Sequence, residues 1–155
     1  MAKVSCSKVS GLQRAIAERV NKALNNEVAD YVKGKLKDQI EDDIYASYIP
    51  YVYERRMDNH GLLDDNNMPH DAKNCTLKVY ERAPVDPPRL ENHKEYNHLD
   101  GLARLLEEGP YDPWGSAHPD IWARPRKFMT NTQKEINKHN YQIRKMIKER
   151  VEHDD

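Results

Sequence analysis

Apolar and aromatic residues recur every four positions through the first third of the chain: Leu12, Ile16, Val20, Leu24, Val28, Val32, Leu36, Ile40, Ile44 and Tyr48. Lysine, glutamate, aspartate, glutamine and arginine fill the positions between. The spacing predicts an amphipathic helix over 10–48, with Ser10 as its N-cap. A step of four overshoots an α-helical turn by roughly 40°. Over the whole run the stripe therefore winds about once around its rod. A straight helix cannot aim such a stripe at one flat surface. Either the helix breaks, near Asn25-Asn26 or at Gly34, or its two ends meet different partners. Length points the same way. About 37 helical residues span about 55 Å, while a globule of this size has a radius of gyration of about 15 Å. A helix that overshoots its own domain usually meets another chain.

Pro50 ends the helix, and Tyr51-Val52-Tyr53 reads as extended. Residues 57–73 are rich in turn formers, with at most a short strand at Leu62-Leu63. The best strand is Cys75–Ala83, with Leu77 and Val79 on one face and Lys78 and Tyr80 on the other. Pro84–Asn97 reads as a surface loop. Leu99, Leu102, Leu105 and Leu106 have helical spacing, and Gly109 is a natural stop. An aromatic, proline-rich loop follows at Pro110–Pro119. Thr132 with Glu135, or Thr130, would cap a last helix whose apolar face is Ile136, Ile143, Ile147 and Val151. The order of elements predicts an α+β fold in a single domain, 1–155. Its segments are a long helix (10–48), strands and loops (49–97), a short helix with the aromatic loop (98–129) and a C-terminal helix (130–153).

Composition narrows the class. Val, Leu, Ile and Phe supply only 29 of 155 residues, and 33% are charged. That is near the border with disorder, but the net charge of -1 and the strong periodicity argue for a folded chain with a thin core. No apolar run is long enough for a membrane span, and Met1–Cys6 leads into no apolar signal region. Cys6 and Cys75 are lone, which fits neither a disulfide framework nor a cysteine-built zinc site, and Cys75 reads as packed in its strand. Charge is segregated: residues 49–122 carry 8 basic and 14 acidic groups, residues 123–150 carry 9 basic and 2 acidic. An acidic middle and a basic end suit contacts between neighbouring chains.

The chemistry search finds no phosphate-binding glycine loop, no HExxH and no GxSxG. His60 and His70 share an acidic loop with Asp64, Asp65 and Asp71, a weak metal or nuclease candidate for which a solvated loop is the better reading. The acidic pairs Asp42-Asp43 and Glu107-Glu108 are sequence neighbours whose side chains diverge, so they form no acid–base dyad. Tyr45, Tyr48, Tyr51 and Tyr53 cluster, as protein contacts or half-buried hinges do. No enzyme activity, metal or cofactor is expected.

Together these residues resemble the minor tail or neck proteins of tailed bacteriophages, the tail-completion or head–tail joining components. The resemblance rests on the long helix ending at Pro50, on Tyr53-Glu54-Arg55-Arg56 followed by Gly61-Leu62-Leu63-Asp64, on Glu107-Glu108-Gly109, and on Ala123-Arg124-Pro125-Arg126-Lys127-Phe128. A Pro-x-x-Thr-Gly-x-Leu turn found in many members does not follow Pro50 here, and the Pro84–Asn97 loop is longer than their norm. The resemblance implies a small antiparallel sheet covered by the long helix. It also implies a virion protein, made in the host cytoplasm, that forms a ring at the head–tail junction, a hexamer by expectation. Its partners would be itself, neighbouring head-completion and tail proteins, and DNA passing without sequence recognition, with no membrane. Tyr48, Tyr51, Tyr53, Arg55, Arg56, Trp114, Trp122, Arg124, Arg126 and Phe128 are the expected subunit or partner contacts. The alternative is a nucleic-acid-binding regulator that uses the basic C-terminal helix.

Overall fold

A computed structural model describes residues 9–46, 61–83, 101–109 and 125–153. The four-residue stripe is carried by a helical run from Val9 to Tyr45: α1 (Val9–Ala23), a π turn (Leu24–Val28), α2 (Ala29–Ile40) and a second π turn (Glu41–Tyr45). Gly34 sits inside α2 and does not break it. Asn25-Asn26 does mark an irregularity, which is a π turn rather than a break. A π turn holds one residue more than an α turn. A step of four therefore falls short there instead of overshooting, and the drift of the stripe is partly reversed. Leu24, Val28, Leu36, Ile40 and Ile44 are accordingly all buried. The chain itself thus covers most of a stripe whose winding pointed to outside partners, and only its first members, Leu12 and Ile16, stand exposed.

The remaining described elements are a 3-10 turn (Asp65–Asn67), strands β1 (His70–Lys73) and β2 (Thr76–Val79), and helices α3 (Gly101–Glu108), α4 (Phe128–Lys138) and α5 (Asn140–His153). The fold is a mostly helical α+β arrangement with a long N-terminal helix, a small antiparallel sheet and a helical C-terminus. It divides into two compact units.

Unit 1 comprises Met1–Val32, His70–Val79 and His139–Asp155. Its β1 and β2 pair antiparallel, His70 opposite Val79 and Lys73 opposite Thr76. Asn74 and Cys75 make the two-residue turn with φ of 53° and 56°. Positive φ at both positions is what a type I′ hairpin turn requires. Cys75 was expected in the strand and packed; it lies instead in the turn and is exposed. The alternation of Leu77 and Val79 against Lys78 holds, and Asp71 faces Lys78 across the ladder. The hairpin docks on the first helix at two points. Asn21 Oδ1 accepts from the Cys75 N–H at 2.9 Å, and His70 Nε2 lies 3.0 Å from the Asn25 carbonyl within the π turn. A carbonyl can only accept, so His70 carries its proton on Nε2. On α5, Arg19 Nη1 donates to the Val151 carbonyl at 2.9 Å, and Arg150 Nη1 pairs with Glu27 at 3.3 Å.

Unit 2 comprises Lys33–Pro69 and Tyr80–Lys138. Leu62 and Leu63, expected as a short strand, are buried in a turn. Asp64 caps the 3-10 turn by accepting from the Asn66 N–H at 2.9 Å. Gly109, at φ 83°, ends α3 as its position suggested. The helix read as continuous over 130–153 is two helices parted at His139. Its capping also differs from expectation. Thr132 is buried inside α4, donating back to the Phe128 carbonyl at 2.7 Å. The N-terminus of α4 is capped by Glu107 of α3, which accepts from the Met129 and Thr130 N–H groups at 3.0 and 3.2 Å and from the Thr130 hydroxyl. A carboxylate at that end satisfies orphan donors and faces the positive end of the helix dipole.

Candidate interaction surfaces

Of the expected contact residues, Tyr48, Tyr51, Tyr53, Arg55, Arg56, Trp114, Trp122 and Arg124 lie outside the described residues. Arg126 and Phe128 lie within them. The Arg126 N–H donates to the Leu106 carbonyl at 2.7 Å, holding the approach to α4 against α3. Phe128 is 0% exposed. A side chain so enclosed by its own chain anchors α4 and has no surface left to offer a neighbour.

The metal or nuclease candidate breaks up into local structural roles. Asp64 is a helix cap, Asp65 pairs with Lys37 at 3.0 Å, and His70 holds the π turn. His60 lies outside the described residues. Among the described residues no group of three or more His, Cys, Asp or Glu side chains could hold a metal ion, and no helix is long and apolar enough to cross a membrane.

The basic C-terminal segment is also divided. Lys134 and Lys138 belong to α4 in unit 2, and Arg144, Lys145, Lys148 and Arg150 belong to α5 in unit 1. On α5, Lys145 and Lys148 lie 3.8 Å from Glu149 and Glu152, one turn on. Such exposed pairs are the usual dress of a solvated helix.

What remains exposed and apolar is at the start of α1. Leu12 is 53% exposed and Ile16 43%. On a helical wheel they fall within about 40° of Ala23, which is fully buried. Arg19, on the same face, reaches the carbonyl of Val151 near the end of α5. One face of α1 is thus covered in its last turns and bare in its first ones. The stripe in the sequence contained this strip, but periodicity alone gave no means of separating its covered members from its bare ones.

Glu81, in unit 2, was not singled out by its sequence context. It is 2% exposed. Its Oε1 accepts from the Ala83 N–H at 2.8 Å, and Oε2 has no partner. Burial pushes its carboxyl up to about 7, with the Ala83 hydrogen bond opposing.

No curated protein and no solved structure matches this chain. A family model does, across residues 8–150 and so through nearly every element described above: the chain belongs to the YomN family.

Proposed function

We propose that this protein is a structural component of a tailed-phage virion, a ring-forming neck or tail-completion protein at the head–tail junction. The family takes its name from a Bacillus phage-like gene, which supports a phage association. The observation that carries the assembly reading is the strip at Leu12 and Ile16. Two large aliphatic side chains stand bare on a helix face whose continuation is fully packed. Exposed apolar surface of this kind, continuous with a core seam, marks contact with another macromolecule. Subunits that use two different surfaces for one contact close into rings, and DNA would pass through such a ring held by nothing sequence-specific.

The test is mass in solution, measured for the full chain alone and after mixing with purified capsids or tails, together with immunogold labelling of virions. A closed oligomer, or capture on one of these structures with label at the neck, is expected. A monomer under every condition, with no label on particles, overturns the reading. Duplex-DNA binding that falls steeply with salt, combined with that monomer, would favour the regulator instead.

A further inference from the structure

The helical run is charged against its own dipole. A helix end favours acids at its N-terminus and bases at its C-terminus. Here the first turn of α1 carries no acid, and the cations Arg14 and Arg19 precede or flank its first acid, Glu18. At the other end, the π turn opens on Glu41, Asp42 and Asp43 and its last turn contains no base. Asp43 is occupied, accepting from Asn131 Nδ2 at 3.0 Å. Glu41 and Asp42 are exposed and have no partner among the described residues. Each end therefore adds side-chain charge to a dipole charge of the same sign. The positive end is also the end with the bare aliphatic strip.

We propose that the first turns of α1, presenting Leu12 and Ile16, are a docking surface for a second copy of this chain. That copy contributes the acid-bearing end of its own helical run, around Glu41 and Asp42. The contact pairs a positive helix end with a negative one, relieving at both the mismatch that neither resolves alone, while burial of Leu12 and Ile16 supplies the apolar part. The two surfaces are different, so the contact is heterologous and propagates from copy to copy until it closes. This rests on the ring reading and names the surfaces that such a ring would use.

The experiment uses the full chain with a photo-crosslinking amino acid in place of Ile16, followed by peptide mapping, beside the variants Leu12→Asp/Ile16→Asp and Glu41→Lys/Asp42→Lys. All four positions are exposed, and circular dichroism checks that helix content is kept. Crosslinks from position 16 to residues 38–46 of another copy are expected. Each double variant should raise the concentration for half-assembly at least tenfold. A ring whose assembly is indifferent to both variants overturns this contact and leaves the ring reading standing. A closed two-fold dimer with the expected crosslinks supports the contact and overturns the ring. Crosslinks confined to a single chain overturn the contact.

Discussion

Glu81 and Cys75 each hold a conformation or protonation state that their residue type resists. Glu81 is enclosed with one carboxyl oxygen unpaired, so the fold favours its neutral form. Its folded value of about 7 lies above the ordinary 4.5. Below pH 4.5 the carboxyl is neutral folded or unfolded, and it brings no pH dependence. Between about 4.5 and 7 the unfolded chain has released the proton that the folded chain keeps, so stability falls as pH rises. The full loss, on the order of 3 kcal/mol, is reached above pH 7. Glu81→Gln should flatten this slope and leave the variant more stable than the parent at pH 8, as urea unfolding at a series of pH values would read; an unchanged slope would refute the assignment. Cys75 occupies a left-handed turn position, a conformation costing a residue with a side chain about 1 kcal/mol or more. Its N–H bond to Asn21 survives substitution. Cys75→Gly should therefore stabilise by about 1 kcal/mol, less whatever entropy the glycine returns to the unfolded chain; a thermal melt decides it.

At the scale of elements, what could be read from the sequence and what could not separate along a physical line. Signals local to one segment were legible. The stripe from Leu12 onward placed the long helix, Leu77 and Val79 set the face of the hairpin, and Gly109 marked the end of α3. Features made by contacts distant in sequence were not. Glu107 caps α4 from another helix 22 residues away, so Thr132 and Thr130 were the only caps a local reading could offer. The division at His139 did leave a trace, since the apolar series jumps from Ile136 to Ile143 with His139 and Asn140 where a core residue would fall. Of the expected contact residues, most lie in segments rich in proline and aromatics, whose partners no periodicity identifies. Two predictions belong here. Glu107→Ala removes acceptors from the α4 N-terminus and should cost about 1–2 kcal/mol in urea unfolding, with Glu107→Gln between it and the parent. Deleting Asn26 turns everything beyond the π turn by about 100° about the helix axis. It should abolish the cooperative melt, whereas Asn26→Ala, which keeps the residue count, should not.

For the whole molecule the controlling quantity is a thin core carrying a heavily charged surface. With so few large aliphatics, leaving Leu12 and Ile16 in water is a loss that assembly can recover. If opposite helix ends meet between copies, attraction between them is screened by salt. Raising ionic strength from about 0.05 M to about 0.5 M should then loosen assembly, because the Debye length falls well below the distances over which helix ends act. Light scattering at fixed protein concentration would follow this. A contact made only by the aliphatic strip would tighten or stay constant instead.

The two π turns bear on how this chain compares with its relatives. Each is the trace of one surplus residue accommodated without breaking the rod, and each lets an otherwise over-wound series of aliphatics keep facing inward. A relative with neither surplus residue would have to space its buried aliphatics by alternating threes and fours. Gaps placed at Asn26 or Asp42 in an alignment would then restore a shared pattern that a gap-free alignment would hide.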